Sequence, residues 1–160
     1  MPGVRYARAP TPYGDWWLAW TPAGVCAGAD PGWTEERFLA WLRRRLGGGV
    51  ERGAAGDVPR QIDWRLVPPG FRRDVLAACA RIPAGTTMSY AELAAAAGHP
   101  GAARAVGSAM ATNPLPPVVP CHRVVRSDGR IGEYSAGGPA RKAAMLLAEG
   151  VEVRDGAVRR

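Results

Sequence analysis

Lysine is nearly absent from this chain. Arginine supplies 20 of its 21 cations, and Lys142 is the remaining one. Histidine is scarce too, limited to His99 and His122, so a His-rich metal centre is not expected and no metal ligands are assigned. The three cysteines, Cys26, Cys79 and Cys121, are odd in number and lack a Cys-x-x-Cys spacing. They offer neither a disulfide framework nor a tetrahedral zinc site, and they fit a reducing cytoplasm. No run of about 18 apolar residues occurs, so no membrane-spanning helix is expected. The opening residues Met1-Pro2-Gly3-Val4-Arg5-Tyr6 hold no apolar signal-peptide core, which argues against secretion.

What is present is a chain of 160 residues, 47% hydrophobic and 22% charged, with a net charge of +7. The length suits one domain, or one domain with a small appendage, and is enough for a real core. The positive excess points to an anionic, phosphate-rich partner. It is uneven, with a net +2 over residues 1–70 and +5 over 71–160. Internal repeats are absent.

The pattern predicts an α+β protein: a small N-terminal strand and helix unit, then a mainly helical domain of winged helix-turn-helix type. Trp16 to Trp20 reads as a strand, Thr21-Pro22-Ala23-Gly24 as a turn and Val25-Cys26-Ala27 as the returning strand. Thr34 caps a helix running to about Leu46. Glu35 and Glu36 lie in its first turn and Arg43, Arg44 and Arg45 in its last, as the helix dipole favours. Phe38, Leu39, Trp41, Leu42 and Leu46 form its apolar stripe. Residues 47 to 63, rich in glycine and charge, read as a linker. The expected domains are therefore 1–63 and 64–160.

In the second domain a helix opens after Pro69-Gly70, with Phe71, Val75, Leu76 and Cys79 inward. Ser89-Tyr90-Ala91-Glu92 is a capping box before a short helix from Leu93 to Ala97. Gly98 ends it. A second helix is expected from Pro100 to Ala111, with His99 as its N-cap. Together they form a helix-turn-helix. Leu115 to Pro120 is too rich in proline for helix or central strand and delivers Cys121 on a stiff extended segment. Val124-Val125 reads as a short strand and Ser127-Asp128-Gly129-Arg130 as a turn. A last helix from Pro139 turns Ala143, Leu146 and Leu147 inward and ends at Glu149-Gly150. Residues 151–160 form a small strand or a loose tail.

The chemistry concentrates in Pro120-Cys121-His122-Arg123-Val124. A thiol is a nucleophile only as thiolate, and imidazole and guanidinium nearby favour that form. The competing reading is a buried thiol serving as a small hydrophobe, which is the expectation for Cys26 and Cys79. His122 is either the base for Cys121 or a structural histidine. Neighbours on an extended chain point apart, so a Cys–His contact requires a turn or a bridging water. Glu149 stands at a helix C-terminus, where the dipole disfavours a carboxylate. It is either partnered, with His122 the candidate, or solvated. The second helix of the pair, Ala102-Ala103-Arg104-Ala105-Val106-Gly107-Ser108, lacks the long polar side chains of a major-groove reader. Its small residues serve either tight helix packing or close approach to a narrow minor groove, with Arg104 reaching into the duplex.

These residues carry a resemblance. The run Ser89-Tyr90-Ala91-Glu92-Leu93-Ala94, then Ala103-Arg104-Ala105-Val106-Gly107, Asn113-Pro114, Pro120-Cys121-His122-Arg123-Val124, and Lys142 with Leu146-Leu147-Ala148-Glu149-Gly150 resembles the C-terminal active-site domain of DNA O6-alkylguanine alkyltransferases. The similarity covers about residues 67 to 151. It implies a suicide repair protein, acting as a monomer on the minor groove of double-stranded DNA. Such a protein flips the damaged guanine out and takes its alkyl group irreversibly onto Cys121. It further implies that His122 acts as base through a water and that Glu149 orients it. Asn113 would hold the active-site turn, and Tyr90 would move the phosphate and help protonate the base. Arg104 would fill the gap left in the stack. DNA contacts would come from Ser89, Tyr90, Ala102, Ala103, Arg104, Gly107 and Arg123, and the substrate pocket from Met110, Val124, Tyr134 and Ser135. No cofactor is implied. Some members bind zinc in the N-terminal domain, but its ligands are not evident here.

The sequence departs from the family pattern in three places. Ala136 lengthens the pocket loop, so that Tyr134 and Lys142 are eight positions apart rather than seven. Glu133 places a negative charge beside the pocket. Pro68-Pro69-Gly70-Phe71-Arg72 replaces the usual Gly-Thr-x-Phe-Gln run. A second reading is an alkyltransferase-like protein that binds the lesion without transfer. Such proteins usually carry tryptophan where Cys121 stands, so Cys121 favours the transferase. A plain helix-turn-helix regulator fits neither the small-residue helix nor Pro-Cys-His-Arg.

Overall fold

The computed structural model describes residues 3–160, so Met1 and Pro2 of the N-terminal hexapeptide lie outside the described residues. The chain divides into two compact units. One runs to Val67 and takes in Pro114–Val118; the other comprises Pro68–Asn113 and Val119–Arg160.

The first unit is built on β1 (Val4–Thr11), β2 (Gly14–Thr21) and β3 (Gly24–Ala29), followed by α1 (Glu35–Leu46) and β4 (Val50–Arg52). The sheet order is β3-β2-β1-β4, with β4 parallel to β1 and the other pairs antiparallel. Successive strand residues face opposite sides. Tyr6, Trp17 and Ala19 therefore meet Phe38 and Leu42 of α1, while Leu18 and Gly28 share the other face. Trp17 and Phe38 lie 6.0 Å apart, and Phe38 stacks on Trp41 at 6.4 Å, so aromatic area dominates this core. Thr34 caps α1 by accepting from the Arg37 amide at 3.1 Å.

The 47–63 stretch is not a free linker. Besides β4, Gln61 to Asp63 runs alongside β3: the Val25 amide donates to Gln61 O at 2.9 Å and the Asp63 amide to Val25 O at 2.8 Å. The Asp63 carboxylate then takes the Thr21 hydroxyl at 2.6 Å and Arg65 Nε at 2.7 Å. Backbone pairing needs no apolar side chains, so composition does not reveal it. The unit boundary accordingly falls after Val67 rather than at residue 63.

The second unit contains α2 (Phe71–Cys79), β5 (Met88–Ser89), α3 (Tyr90–Ala96), α4 (Ala103–Ala111), β6 (Val124–Val125), α5 (Gly138–Ala148), β7 (Val153–Arg154) and β8 (Ala157–Val158). β5 pairs parallel with β6, and β7 with β8 antiparallel. The Ser89 capping box is complete: its side chain accepts from the Glu92 amide at 3.0 Å, and Glu92 accepts from the Ser89 amide at 2.7 Å. α4 starts at Ala103, three residues later than the proline signal suggests, because Gly98 and Gly101 both adopt positive φ, +84° and +85°, and keep the intervening chain out of helix. Its N-cap is Ala102, not His99. His99 instead lies 3.0 Å from Asp74 and meets the Phe71 ring edge-on at 4.8 Å. In α5 the buried stripe is Lys142, Met145 and Leu146, so Leu147 points outward and is 55% exposed. Among the described residues no helix is long and apolar enough to cross a membrane.

Pro114–Val118 is held within the first unit by the Gly28 amide, which donates to Pro114 O at 2.9 Å. A Cβ on Gly28 would sit 2.1 Å from Pro116 O. Backbone cannot yield as a flexible side chain does. Gly28→Ala should therefore cost about 1–3 kcal/mol of stability, read as a lower urea midpoint; an unchanged midpoint would contradict this packing.

Candidate active site

The site lies wholly within the second unit. α4 ends at Thr112, whose Oγ1 donates to Ser108 O at 3.0 Å and accepts from Arg72 Nε at 3.2 Å; Arg72 also binds the Thr112 carbonyl. The next residue, Asn113, is thereby fixed. Its Nδ2 donates to Val119 O at 3.0 Å and to Cys121 Sγ at 3.2 Å. Pro120 leads into a 3₁₀ turn, Cys121–Arg123, in which the Arg123 amide donates to Pro120 O at 2.9 Å. This is the turn that an interaction between adjacent cysteine and histidine requires.

His122 is fully buried. Its Nε2 lies 2.7 Å from Glu149 Oε2. A carboxylate there favours the tautomer with the proton on Nε2, which makes Nδ1 the basic nitrogen. Glu149 has further partners. Arg123 donates through Nε at 3.0 and 3.1 Å and through a terminal nitrogen at 2.8 Å, and the Gly85 amide donates to Oε1 at 3.0 Å. Another guanidinium N–H reaches Ile82 O at 2.6 Å. The Arg123 side chain is 13% exposed and faces Glu149. Its placement is that of a positioning residue rather than the DNA contact expected from sequence.

A pocket opens at Cys121. Gly107 and Met110 of α4, Tyr90, and Tyr134 with Ser135 of the loop before α5 contribute to its wall. Glu133 and Lys142 also line it. Val124 does not: it is fully buried in β6, and its carbonyl accepts from Lys142 Nζ at 2.7 Å. Ser89 is equally buried, its hydroxyl engaged in capping α3. Ala102, Ala103 and Arg104 form the start of α4, with Arg104 exposed. A Cβ added at Gly107 would meet nothing within 4 Å, so the protein's own packing does not demand a small residue there.

Lys142, which carries part of the resemblance but was given no place in the site, is the pocket residue that sequence reasoning left unassigned. It is 1% exposed and also donates to Glu133 O at 3.3 Å. The signal existed: the one lysine in the chain falls on the apolar stripe of α5, at i, i+3 and i+4 with Met145 and Leu146.

Burial sets the resting protonation of the site. It pushes the Cys121 thiol above its ordinary range, against the opposing pull of the Asn113 donor and Lys142. The expected depression of this thiol is therefore absent at rest, and Cys121 waits as a thiol. Desolvation holds His122 below its ordinary value despite Glu149, and it lowers Lys142 to about 8. Tyr90 is raised by burial. The arrangement suits a nucleophile that is deprotonated on demand by a neutral imidazole.

A pH dependence of stability follows. The folded pKa of His122 lies below its ordinary 6.5. Above pH 6.5 both states are neutral, and the contribution is intact. As pH falls through the lowered folded value the unfolded chain takes up the proton first, and stability is lost. The thermal midpoint should drop on acidification below pH 6.5, and His122→Gln should flatten that drop. An identical slope in the variant would exclude His122 as its source.

Comparison with known proteins gives consistent findings. The family pattern described as 6-O-methylguanine DNA methyltransferase, DNA binding domain, matches residues 70–151. The chain is 56% identical over 92 residues to a mouse methylated-DNA–protein-cysteine methyltransferase, a match covering 58% of this chain and 38% of that protein. It spans about two fifths of the length of such mammalian relatives. A Mycolicibacterium paratuberculosis protein of the same name is 43% identical over 122 residues, covering 74% of this chain and 70% of its own. Among solved structures, Mycobacterium tuberculosis OGT in complex with DNA aligns with a TM-score of 0.69 at 31% identity, covering 92% of both chains. This chain belongs to the 6-O-methylguanine DNA methyltransferase family.

Proposed function

We propose that this chain is a single-turnover transferase that repairs O6-alkylguanine in duplex DNA by moving the alkyl group irreversibly onto Cys121. The observation that carries this reading is a thiol lining a pocket, with an amide donor on its sulfur and a His122–Glu149–Arg123 assembly beside it. The names of the relatives supply the donor and acceptor classes, methylated DNA and a protein cysteine.

The target oxygen is stacked and paired inside the duplex, so the nucleotide must rotate out to reach the pocket. The Cys121 proton passes through a water to His122 Nδ1. The thiolate attacks the alkyl carbon, and the carbon–oxygen bond breaks with its electron pair staying on O6. The proton held on His122 returns through the water to the departing guanine, with Tyr90 assisting, so that guanine leaves neutral and His122 is restored. The thioether is stable, so each chain reacts once. Asn113 and Lys142 stabilise the thiolate as it forms. Tyr134, Ser135 and Met110 enclose the alkyl group.

DNA is met through its minor groove by the first turns of α4. Ala102, Ala103 and Gly107 allow close approach, and the open space over Gly107 supports this over tight helix packing. Arg104 enters the stack in place of the flipped base. One chain carries every group required, so a monomer suffices.

Duplex DNA carrying O6-methylguanine should raise the intact mass of the protein by one methyl group, located on Cys121, with a stoichiometry of one. Tight lesion binding with no adduct would replace this reading by lesion recognition alone. Arg104→Ala should slow reaction with duplex by at least about tenfold, since extrusion costs a few kcal/mol, and leave reaction with the free base nearly unchanged. Equal losses on both substrates would refute the role given to Arg104.

A further inference from the structure

We propose that one face of α1 is a second phosphate-binding surface, with which the N-terminal unit holds the sugar-phosphate backbone of DNA. The proposal rests on the reading of the chain as a DNA-acting protein and adds a contact outside the helix-turn-helix.

Trp33, just before the Thr34 cap, is followed by Arg37, Trp41 and Arg45 at four-residue intervals along neighbouring turns of α1. The Arg37 guanidinium carbon lies 3.8 Å from the Trp33 ring centroid, and that of Arg45 lies 4.3 Å from Trp41. The two indoles meet edge to face at 6.3 Å. Both tryptophans are half-buried against the core, whereas Arg37, Arg43, Arg44 and Arg45 are exposed. A guanidinium stacked flat on an indole keeps its N–H edge turned away from the ring. That edge matches the in-plane oxygens of a phosphate. The stack also limits the side-chain freedom otherwise lost on binding.

Helix stability accounts for only part of this array. Arg43, Arg44 and Arg45 complement the dipole in the last turn. Arg37 stands in the first turn, where a cation is unfavourable. The acids of α1 do not neutralise the group. Glu35 is taken by Arg52 and by the Tyr6 hydroxyl, leaving Glu36 as the one other acid of α1 against its four arginines. Among the described residues none of those four enters an ion pair. Covering a tryptophan needs only an apolar side chain. Gathering four like charges costs repulsion that an anionic partner relieves. The stacked Arg37 and Arg45, with Arg44 on the same side of the helix, turn guanidinium edges toward the regularly spaced, singly charged phosphates of a duplex backbone, and Arg43 adds charge from the flank of α1.

The test uses the full chain and a fluorescent duplex without a lesion, titrated from 50 to 200 mM salt, with methyl transfer from free O6-methylguanine as the control for folding. R37Q/R43Q/R44Q/R45Q should lose about tenfold or more in duplex affinity at the low-salt end, and its log–log salt slope should become shallower by about 2–4, at roughly 0.9 per phosphate contact. Free-base transfer should be unchanged. If the quadruple variant fails to fold, R37Q/R45Q and R43Q/R44Q carry the same test separately. R37K/R45K, which keeps charge without the flat stack, should fall between wild type and R37Q/R45Q. Wild-type affinity and slope in a variant that still transfers methyl from the free base would overturn the proposal and leave the repair function standing. Wild type that bound polyglutamate and no duplex would assign the face to an acidic protein and overturn it. Wild type without affinity for any duplex would remove the DNA-acting reading as well.

Discussion

Four N–H groups converge on the Glu149 carboxylate: His122 Nε2, two from Arg123 and the Gly85 amide. Removing a carboxylate and a guanidinium from water is expensive, and a buried pair of this kind seldom adds net stability. Its value here lies in what it fixes. It joins the end of α5 to the Cys121–Arg123 turn and to the chain after α2, three segments distant in sequence. It also sets the His122 tautomer, so the basic nitrogen is determined by the partner of the other one. The geometry of the Cys121 neighbourhood follows from that single acceptor, supplemented by Asn113 from the other side.

The same burial that isolates this assembly disfavours the charged forms of its titrating groups. Cys121 and Tyr90 are pushed up, and His122 and Lys142 are pulled down. A preformed thiolate would be open to adventitious alkylation and oxidation. A thiol that ionises only when proton acceptor and substrate are aligned is protected from both. On the proposed reading, reactivity would be coupled to occupancy of the pocket.

Much of this was legible in the sequence where the signal is local. Thr34 and Ser89 announce their helices because capping involves residues three positions apart. The Pro-Cys-His-Arg run and Glu149 were singled out because a thiol, an imidazole and a carboxylate carry recognisable chemistry. Backbone pairing was less visible. β1 interrupts its alternation with Ala7 and Pro10, and β4 has three residues, two of them charged. Neither shows the apolar run that marks β2. Orientation was missed too. Arg123 looks like a DNA contact until Ile82 and Glu149 are seen to hold its guanidinium. Leu147 looks like core until the phase of α5 is fixed by Lys142. In each case the deciding contact joins residues 18 to 41 positions apart.

The five residues Pro114–Val118 belong to the first unit, though the chain on either side of them, Asn113 and Val119, belongs to the second. Sequence order and spatial membership therefore disagree at this point. A cut after Val67 does not yield two self-sufficient pieces. The piece bearing Cys121 would retain an apolar pentapeptide whose surroundings, including the Gly28 amide, had left with the other. The N-terminal unit is accordingly not a module that can be exchanged freely. Any replacement would have to arrive with a matching 114–118 segment, inserted eight residues after Val106 and three before Cys121.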